Sequence, residues 1–136
     1  MKGFHCVRVK GAIFERWPHW FPTDTENRLL FMDCADGWYN VVWQLFECLE
    51  PLIAGPADDG SQFQLADVKQ EFGELVVHVN RYTDEILAAL ASARELSRRT
   101  CEICGNPGSL EGETTRVWKT LCSSCRASDS WWRQGL

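Results

Sequence analysis

Cys101-Glu102-Ile103-Cys104-Gly105 and, further on, Leu121-Cys122-Ser123-Ser124-Cys125 are the two stretches whose reading decides how this chain is built. Seventeen residues separate the two Cys-x-x-Cys pairs, a spacing that reads as a four-thiolate zinc site. Each pair can turn two sulfurs toward one ion, and two pairs complete the tetrahedron that Zn²⁺ takes from soft ligands. Four cysteine ligands leave no open position for water or substrate, so the site Cys101, Cys104, Cys122 and Cys125 predicts a structural rather than a catalytic ion. Gly105 suits the positive φ of a knuckle, and Pro107-Gly108 and Glu111-Gly112 are turn signals. Thr114 to Leu121 reads as a returning strand, and Ser123 onward as a helix start. A knuckle, a hairpin and a cysteine pair leading into a helix describe a treble-clef-like module. A zinc ribbon is the competing geometry. Structural zinc contributes on the order of 10–16 kcal/mol of apparent folding free energy near neutral pH, which predicts that residues 101–136 unfold without it.

Moving outward, Thr83-Asp84-Glu85 starts a helix, with a capping hydroxyl and acids favoured at the N-terminal dipole. Ile86, Leu90, Ala93 and Leu96 form its apolar stripe. No Gly- or Ser-rich linker lies between this helix and Cys101, so the expected division is an α+β domain over 1–99 and a rigidly continuous zinc module over 100–136. An earlier helix is expected from Asp36, read as its N-cap, with Val41, Val42, Leu45 and Leu49 at helical spacing and a stop near Glu50 imposed by Pro51. Ala54 to Ser61 reads as a loop. Between the helices, Phe63 to Val79 reads as a β-hairpin with Gly73 in the turn. The fold class is α+β: two helices on a β-hairpin or small antiparallel sheet, followed by the zinc module.

Toward the N-terminus, Phe4 to Val9 fits a short strand. Phe14 to Pro22 reads as an extended, aromatic-rich segment that lids the core, because Pro18 and Pro22 forbid a regular helix across it. With 45% hydrophobic residues, seven Trp and seven Phe, the chain has the material for a core. Arg8, Lys10 and Arg16 interrupt every apolar run near the start, and no stretch reaches the ~18 residues that span a bilayer. A cytoplasmic protein with reduced thiols is expected. Of the remaining cysteines, Cys6, Cys34 and Cys48, the last falls in the helical apolar pattern and is expected to be buried packing. His78 reads as a satisfied or exposed strand residue.

Charge is uneven. The net charge is −5, yet residues 33–85 hold eleven acidic side chains against Lys69 and Arg81, a local net of −9. From Arg98 onward six basic side chains face four acidic ones, and neither half presents the strongly basic surface of a conventional nucleic-acid-binding finger.

Four stretches together carry a resemblance: Asp36-Gly37-Trp38-Tyr39-Asn40-Val41-Val42; Val68-Lys69-Gln70-Glu71-Phe72-Gly73-Glu74-Leu75; Arg99-Thr100-Cys101-Glu102-Ile103-Cys104-Gly105 with Pro107-Gly108 after it; and Trp118-Lys119-Thr120-Leu121-Cys122. Over residues 17–126 the chain resembles a group of small uncharacterised proteins of bacteria and their phages. Members of the group often carry histidine where this chain has Cys125, and the residues after Gly73 depart from their pattern. The resemblance implies the same architecture and a phage or mobile-element context, hence a host cytoplasm, and names no activity.

Catalysis needs a convergent set of groups. His5, His19 and His78 are scattered, and no nucleophile motif is present, so no enzyme is expected. The function expected is non-enzymatic protein binding by a zinc-stabilised body. Its surface would draw on Asp58, Asp59, Asp67, Glu71 and Glu74, with Trp131 and Trp132. The partner in view is a host nucleic-acid-binding complex, such as a CRISPR effector, inhibited by occupation of its basic groove. The alternative is nucleic-acid binding through a C-terminal face of Arg98, Arg99, Arg116, Lys119, Arg126 and Arg133, with tryptophans for base stacking.

Overall fold

The computed structural model of the protein describes residues 10–22, 31–53, 60–112 and 118–128. The expected strand at Phe4–Val9, with His5 and Cys6, lies outside them, as do Asp58, Asp59, Arg116, Trp131, Trp132 and Arg133. The described chain is α+β. Its helices are α1 (Lys10–Arg16), α2 (Tyr39–Leu49), α3 (Asp84–Ser97) and α4 (Ser123–Ala127). Its strands are β1 (Met32–Asp33), β2 (Leu65–Glu71), β3 (Glu74–Val79), β4 (Ser109–Glu111) and β5 (Lys119–Leu121).

The main sheet runs β1-β2-β3. β2 and β3 are the expected antiparallel hairpin, with Glu71 opposite Glu74 and a two-residue turn of Phe72 (φ 52°) and Gly73 (φ 82°). β1 corrects the expectation of a purely antiparallel sheet. It pairs parallel to β2, Met32 opposite Val68 and Asp33 opposite Lys69.

α2 and α3 pack on each other, and α3 packs on β3. α2 turns Val41, Val42, Leu45, Phe46 and Leu49 inward. It ends at Leu49, and Pro51 confines the next residues, Glu50–Leu52, to a 3₁₀ turn. The start of α2 differs from the sequence reading. A 3₁₀ turn over Asp36–Trp38 precedes it, the cap positions fall on Ala35 and Trp38, and neither carries a side-chain capping bond. The N–H that an Asp36 cap would have left free in this turn is engaged elsewhere: Gly37 N–H donates to the Glu102 carbonyl at 2.9 Å. α3 begins as expected, with Thr83 Oγ1 accepting from Ile86 N–H at 3.1 Å. Ser97 fixes its far end to the sheet, accepting from Leu75 N–H at 2.9 Å and donating to the Arg94 carbonyl at 2.6 Å.

The aromatic stretch lids the core as expected, but it is not extended. α1 buries Ile13 and Phe14, and a 3₁₀ turn at Pro18–Trp20 comes next. Trp17 and Phe21 are buried, and edge-to-face contacts join Trp17 to Phe46 (5.2 Å between centroids) and Trp20 to Phe63 (4.8 Å). Proline at the first position of a 3₁₀ turn forfeits no hydrogen bond, which is why local helix survives here. Cys48 is also a correction. It is exposed rather than buried, because α2 commits positions 42, 45, 46 and 49 to the core and leaves 48 on the flank.

Two hydrophobic clusters result. The large one is the α+β core; the small one consists of Cys101, Leu121 and Cys122, flanked by Ile103, Cys104 and Cys125. Between them the backbones meet without room for side chains. A methyl group on Gly37 would fall on the Cys101 carbonyl oxygen and within 2.5 Å of the Glu102 carbonyl carbon. Gly37→Ala is therefore expected to separate the two clusters at a cost of at least about 2 kcal/mol, read from the urea-unfolding midpoint.

Candidate metal centre

The α3 helix leads directly into the first knuckle. Thr100 pairs with Pro107, Cys101 N–H donates to the Asn106 carbonyl at 2.7 Å, and Gly105 N–H donates to the Cys101 carbonyl at 2.9 Å. Gly105 sits at φ 83°, the left-handed conformation that closes the knuckle and that glycine adopts without penalty. β4 and β5 then form the expected hairpin, Leu110 opposite Thr120; of the returning strand expected over Thr114 to Leu121, residues 114–117 lie outside the described residues and the strand begins at Lys119, after Trp118. Its return delivers Cys122 to the N-cap of α4, where its Sγ accepts from Cys125 N–H at 3.4 Å. A knuckle, a hairpin and a second cysteine pair at a helix start are the parts of a treble-clef-like module.

The four Sγ atoms of Cys101, Cys104, Cys122 and Cys125 all lie within 4.8 Å of one another, and those of Cys104 and Cys122 are 3.6 Å apart. A tetrahedral ion with Zn–S bonds of about 2.3 Å needs sulfurs about 3.8 Å apart. The cluster therefore fits a metal ion of that size, with all four ligands supplied by thiolates. Cys101 and Cys122 are buried and the other two half-buried.

The thiols do not share one acidity. Burial raises the pKa of Cys122, but the Cys125 amide and hydrogen bonds from the Cys104, Cys125 and Cys101 thiols outweigh it and bring the group down to about 7. Cys104 is raised by burial and by its contacts with Cys122 and Cys101, against a lowering contribution from the Asn106 backbone. Cys125 is pushed well above the ordinary thiol range, by burial first and then by hydrogen bonds to Cys122 and Cys101. Away from the cluster, burial holds the Cys34 thiol up at about 12, which keeps it protonated and unreactive.

Glu102 is the buried charged residue of the site that the sequence reading did not single out. It is 2% exposed, although it lies between two candidate ligands in a turn. Its carboxylate accepts from Thr120 N–H (2.9 Å) and from the Gln70 amide (3.2 Å), with Lys119 Nζ at 3.6 Å. Burial raises its pKa, opposed by the Thr120 N–H, Lys119 and Gln70. An acid at the x position of Cys-x-x-Cys reads as an exposed turn residue, and nothing local marks it otherwise.

The other candidate residues within the described chain are engaged in side-chain contacts, most of them ion pairs. Asp67 lies 2.8 Å from His78 Nδ1, which stands exposed on β3. Glu71 pairs with Lys69 at 2.8 Å, and Glu74 with Arg94 at 2.7 Å and Arg98 at 3.2 Å. Glu71 and Glu74 come together across the hairpin turn, whereas Asp67 sits at the other end of β2. On the basic side, Arg98 and Arg99 both reach Glu95, Lys119 faces Glu102, and Arg126 lies 3.7 Å from Glu111 while donating to the Ser109 carbonyl.

Comparison of the chain with protein-family models, with curated proteins and with solved structures finds no match. Among the described residues, no helix is long and apolar enough to cross a membrane. The chemistry of the centre rests on its own atoms.

Ion binding must displace the protons that Cys104 and Cys125 hold at neutral pH. Its affinity is expected to fall as pH is lowered, about tenfold per pH unit for each proton displaced, in chelator competition between pH 8 and 6. Cys122→Ser, or chelation, is expected to abolish the slowed hydrogen exchange of β5 and α4. The β2–β3 amides are expected to stay protected.

Proposed function

We propose that the protein is a non-enzymatic protein-binding protein, stabilised by zinc at Cys101, Cys104, Cys122 and Cys125, that meets its partner with the β2–β3 turn. The observation carrying this reading is Phe72. It is 78% exposed and holds φ 52°, making it the sole non-glycine residue at positive φ among those described. A bulky side chain there costs about 1 kcal/mol, and a turn with both central residues at positive φ is normally served by Asn-Gly. An aromatic kept exposed, against the conformational preference of its own backbone, is accounted for by use outside the chain.

The surroundings of Phe72 give the partner's chemistry. Glu71 and Glu74 flank it, so the complementary surface is an apolar pocket with a basic rim, which can take these carboxylates over from Lys69, Arg94 and Arg98. The resemblance to phage proteins extends the reading to a host nucleic-acid-binding complex whose basic groove is occupied, as by an anti-CRISPR inhibitor. Asp58, Asp59, Trp131 and Trp132 belong to this reading as further contacts.

Zinc is supported as the ion by four clustered thiolates, the soft ligand set that suits it and would close its coordination shell. That closure also supports a non-catalytic role. A cleft of about 570 Å³ lined by Pro18, Trp20, Gln62, Phe63 and Gln64 has His19 as its one titratable side chain among the described residues, which is no acid–base pair. Nucleic-acid binding is the weaker reading. Arg98, Arg99, Lys119 and Arg126 each lie beside an acid (Glu74, Glu95, Glu102 and Glu111), which offsets the positive charge that a phosphate backbone needs.

The test is a pull-down of host proteins on zinc-loaded protein, with and without nuclease and across a salt series. Wild type and Phe72→Asn are compared. A stoichiometric partner is expected to survive nuclease, to leave at high salt, and to be lost with Phe72→Asn while the melting temperature holds or rises. Recovery of nucleic acid alone would overturn the reading in favour of the C-terminal arginines.

A further inference from the structure

We infer that Glu102 is a positioning residue that couples ion binding at the four-thiolate site to the ordering of the α+β body, so that the ion stabilises the entry to α2 as well as the module that ligates it. The inference rests on the metal-binding reading of the four cysteines.

Glu102 joins four segments. Its N–H donates to the Thr120 carbonyl at 2.9 Å and its carboxylate accepts from Thr120 N–H at 2.9 Å, so both main-chain polar groups of one β5 residue are held by Glu102. Thr120 stands two positions before Cys122. Glu102 itself lies between Cys101 and Cys104. The same side chain thus fixes the distance between the two ligand pairs. Its carbonyl accepts from Gly37 N–H at 2.9 Å, and its carboxylate accepts from the Gln70 amide on β2. Adjacent contacts run along the same seam. Trp38 Nε1 donates to the Thr100 carbonyl at 2.8 Å, and Thr120 Oγ1 donates to the Gly73 carbonyl at 2.8 Å.

The small cluster has little besides sulfur with which to hold this seam. Leu121 is its one buried aliphatic side chain among the described residues. The knuckle and β5 therefore keep their relative placement through the ion between the sulfurs, the Glu102 carboxylate on Thr120 N–H, and the main-chain bond from Glu102 N–H to the Thr120 carbonyl. Each link shortens the search for the others, so loading the ion tightens the Glu102 bonds and, through them, the Gly37 amide. Outer-shell groups that orient metal ligands commonly change affinity by about 10–100-fold when removed.

The experiment loads wild type, Glu102→Gln and Glu102→Ala with Zn²⁺ and Co²⁺. It measures Zn²⁺ affinity by chelator competition, the Co²⁺–thiolate absorption spectrum, and hydrogen exchange over residues 36–39 and 119–121. In wild type, Zn²⁺ is expected to slow exchange in both segments. In Glu102→Ala, the Co²⁺ spectrum at saturation is expected to persist, affinity to fall about 10–100-fold, and the ion-dependent slowing to weaken first at 119–121, where Thr120 N–H loses its acceptor, with a smaller loss at 36–39, where the main-chain acceptor of Gly37 remains. Glu102→Gln keeps one acceptor for Thr120 N–H and is expected to recover part of both. Wild-type affinity and slowing in Glu102→Ala overturn the inference, as does ion loading that leaves 36–39 unchanged in wild type. If Glu102→Ala fails to fold, the wild-type exchange and Glu102→Gln decide. Absence of a thiolate–Co²⁺ spectrum in wild type is a separate outcome that removes the metal reading and the inference together.

Discussion

The amide, the carbonyl and the carboxylate of Glu102 close on Thr120, Gly37, and Thr120 with Gln70. Without these bonds the cysteine module would be tied to the body by chain continuity and a few side contacts. Burying a carboxylate is costly, and here the cost is offset by an N–H, an amide and an ammonium group at 3.6 Å. Burial still raises the pKa of Glu102, against the lowering by Thr120 N–H, Lys119 and Gln70. The residue gives up some stability for a fixed geometry: a neutral apolar side chain could fill the space but could not hold the β5 backbone and Gln70 at once.

That seam explains why two glycines stand where they do. Gly37 leaves room for the knuckle's backbone. A methyl group on Gly73 would fall on the Leu110 side chain and lie 3.0 Å from the Trp118 carbonyl carbon. The Gly73 carbonyl also receives Thr120 Oγ1. The hairpin turn is therefore clamped by the module from behind while Phe72 faces out. The left-handed Phe72 persists because its neighbour is fixed, so the metal module and the exposed aromatic are parts of one arrangement.

Much of this was legible in the sequence where one residue type carries a strong local constraint. Paired cysteines predicted the cluster, Thr83 the helix start, Pro51 the helix stop and Gly73 the hairpin turn. The failures have a common cause in long-range contacts. β1 is two residues long, too short to show alternation, and exists because β2 offers an edge. Asp36 looked like a cap, yet the neighbouring Gly37 N–H is satisfied by Glu102, far along the chain. Cys48 fits an apolar helical pattern, but its exposure depends on which flank α3 covers. Glu102 has the composition of a surface turn and the burial of a core residue, a combination fixed only when β2, β5 and the knuckle meet.

The acidic middle needs a similar revision in kind. A local net of −9 suggests a broad negative face, but the structure spends several of those carboxylates on neighbours: Glu50 on Arg16, Asp67 on His78, Glu71 on Lys69, and Glu74 on Arg94 and Arg98. Apart from Glu74, whose side chain is 16% exposed, these pairs lie at the surface, and such pairs contribute at most about 1 kcal/mol each. Their weakness matters for binding, because a partner cation can exchange for a surface cation at small net cost. Long-range charge then governs the rate and salt dependence of an encounter, while affinity must come from something desolvated at its centre. At the β2–β3 turn the two requirements coincide: an exchangeable Glu71 carboxylate on one side, a Glu74 carboxylate held by two arginines on the other, and between them an aromatic ring held out by a turn that the cysteine module braces.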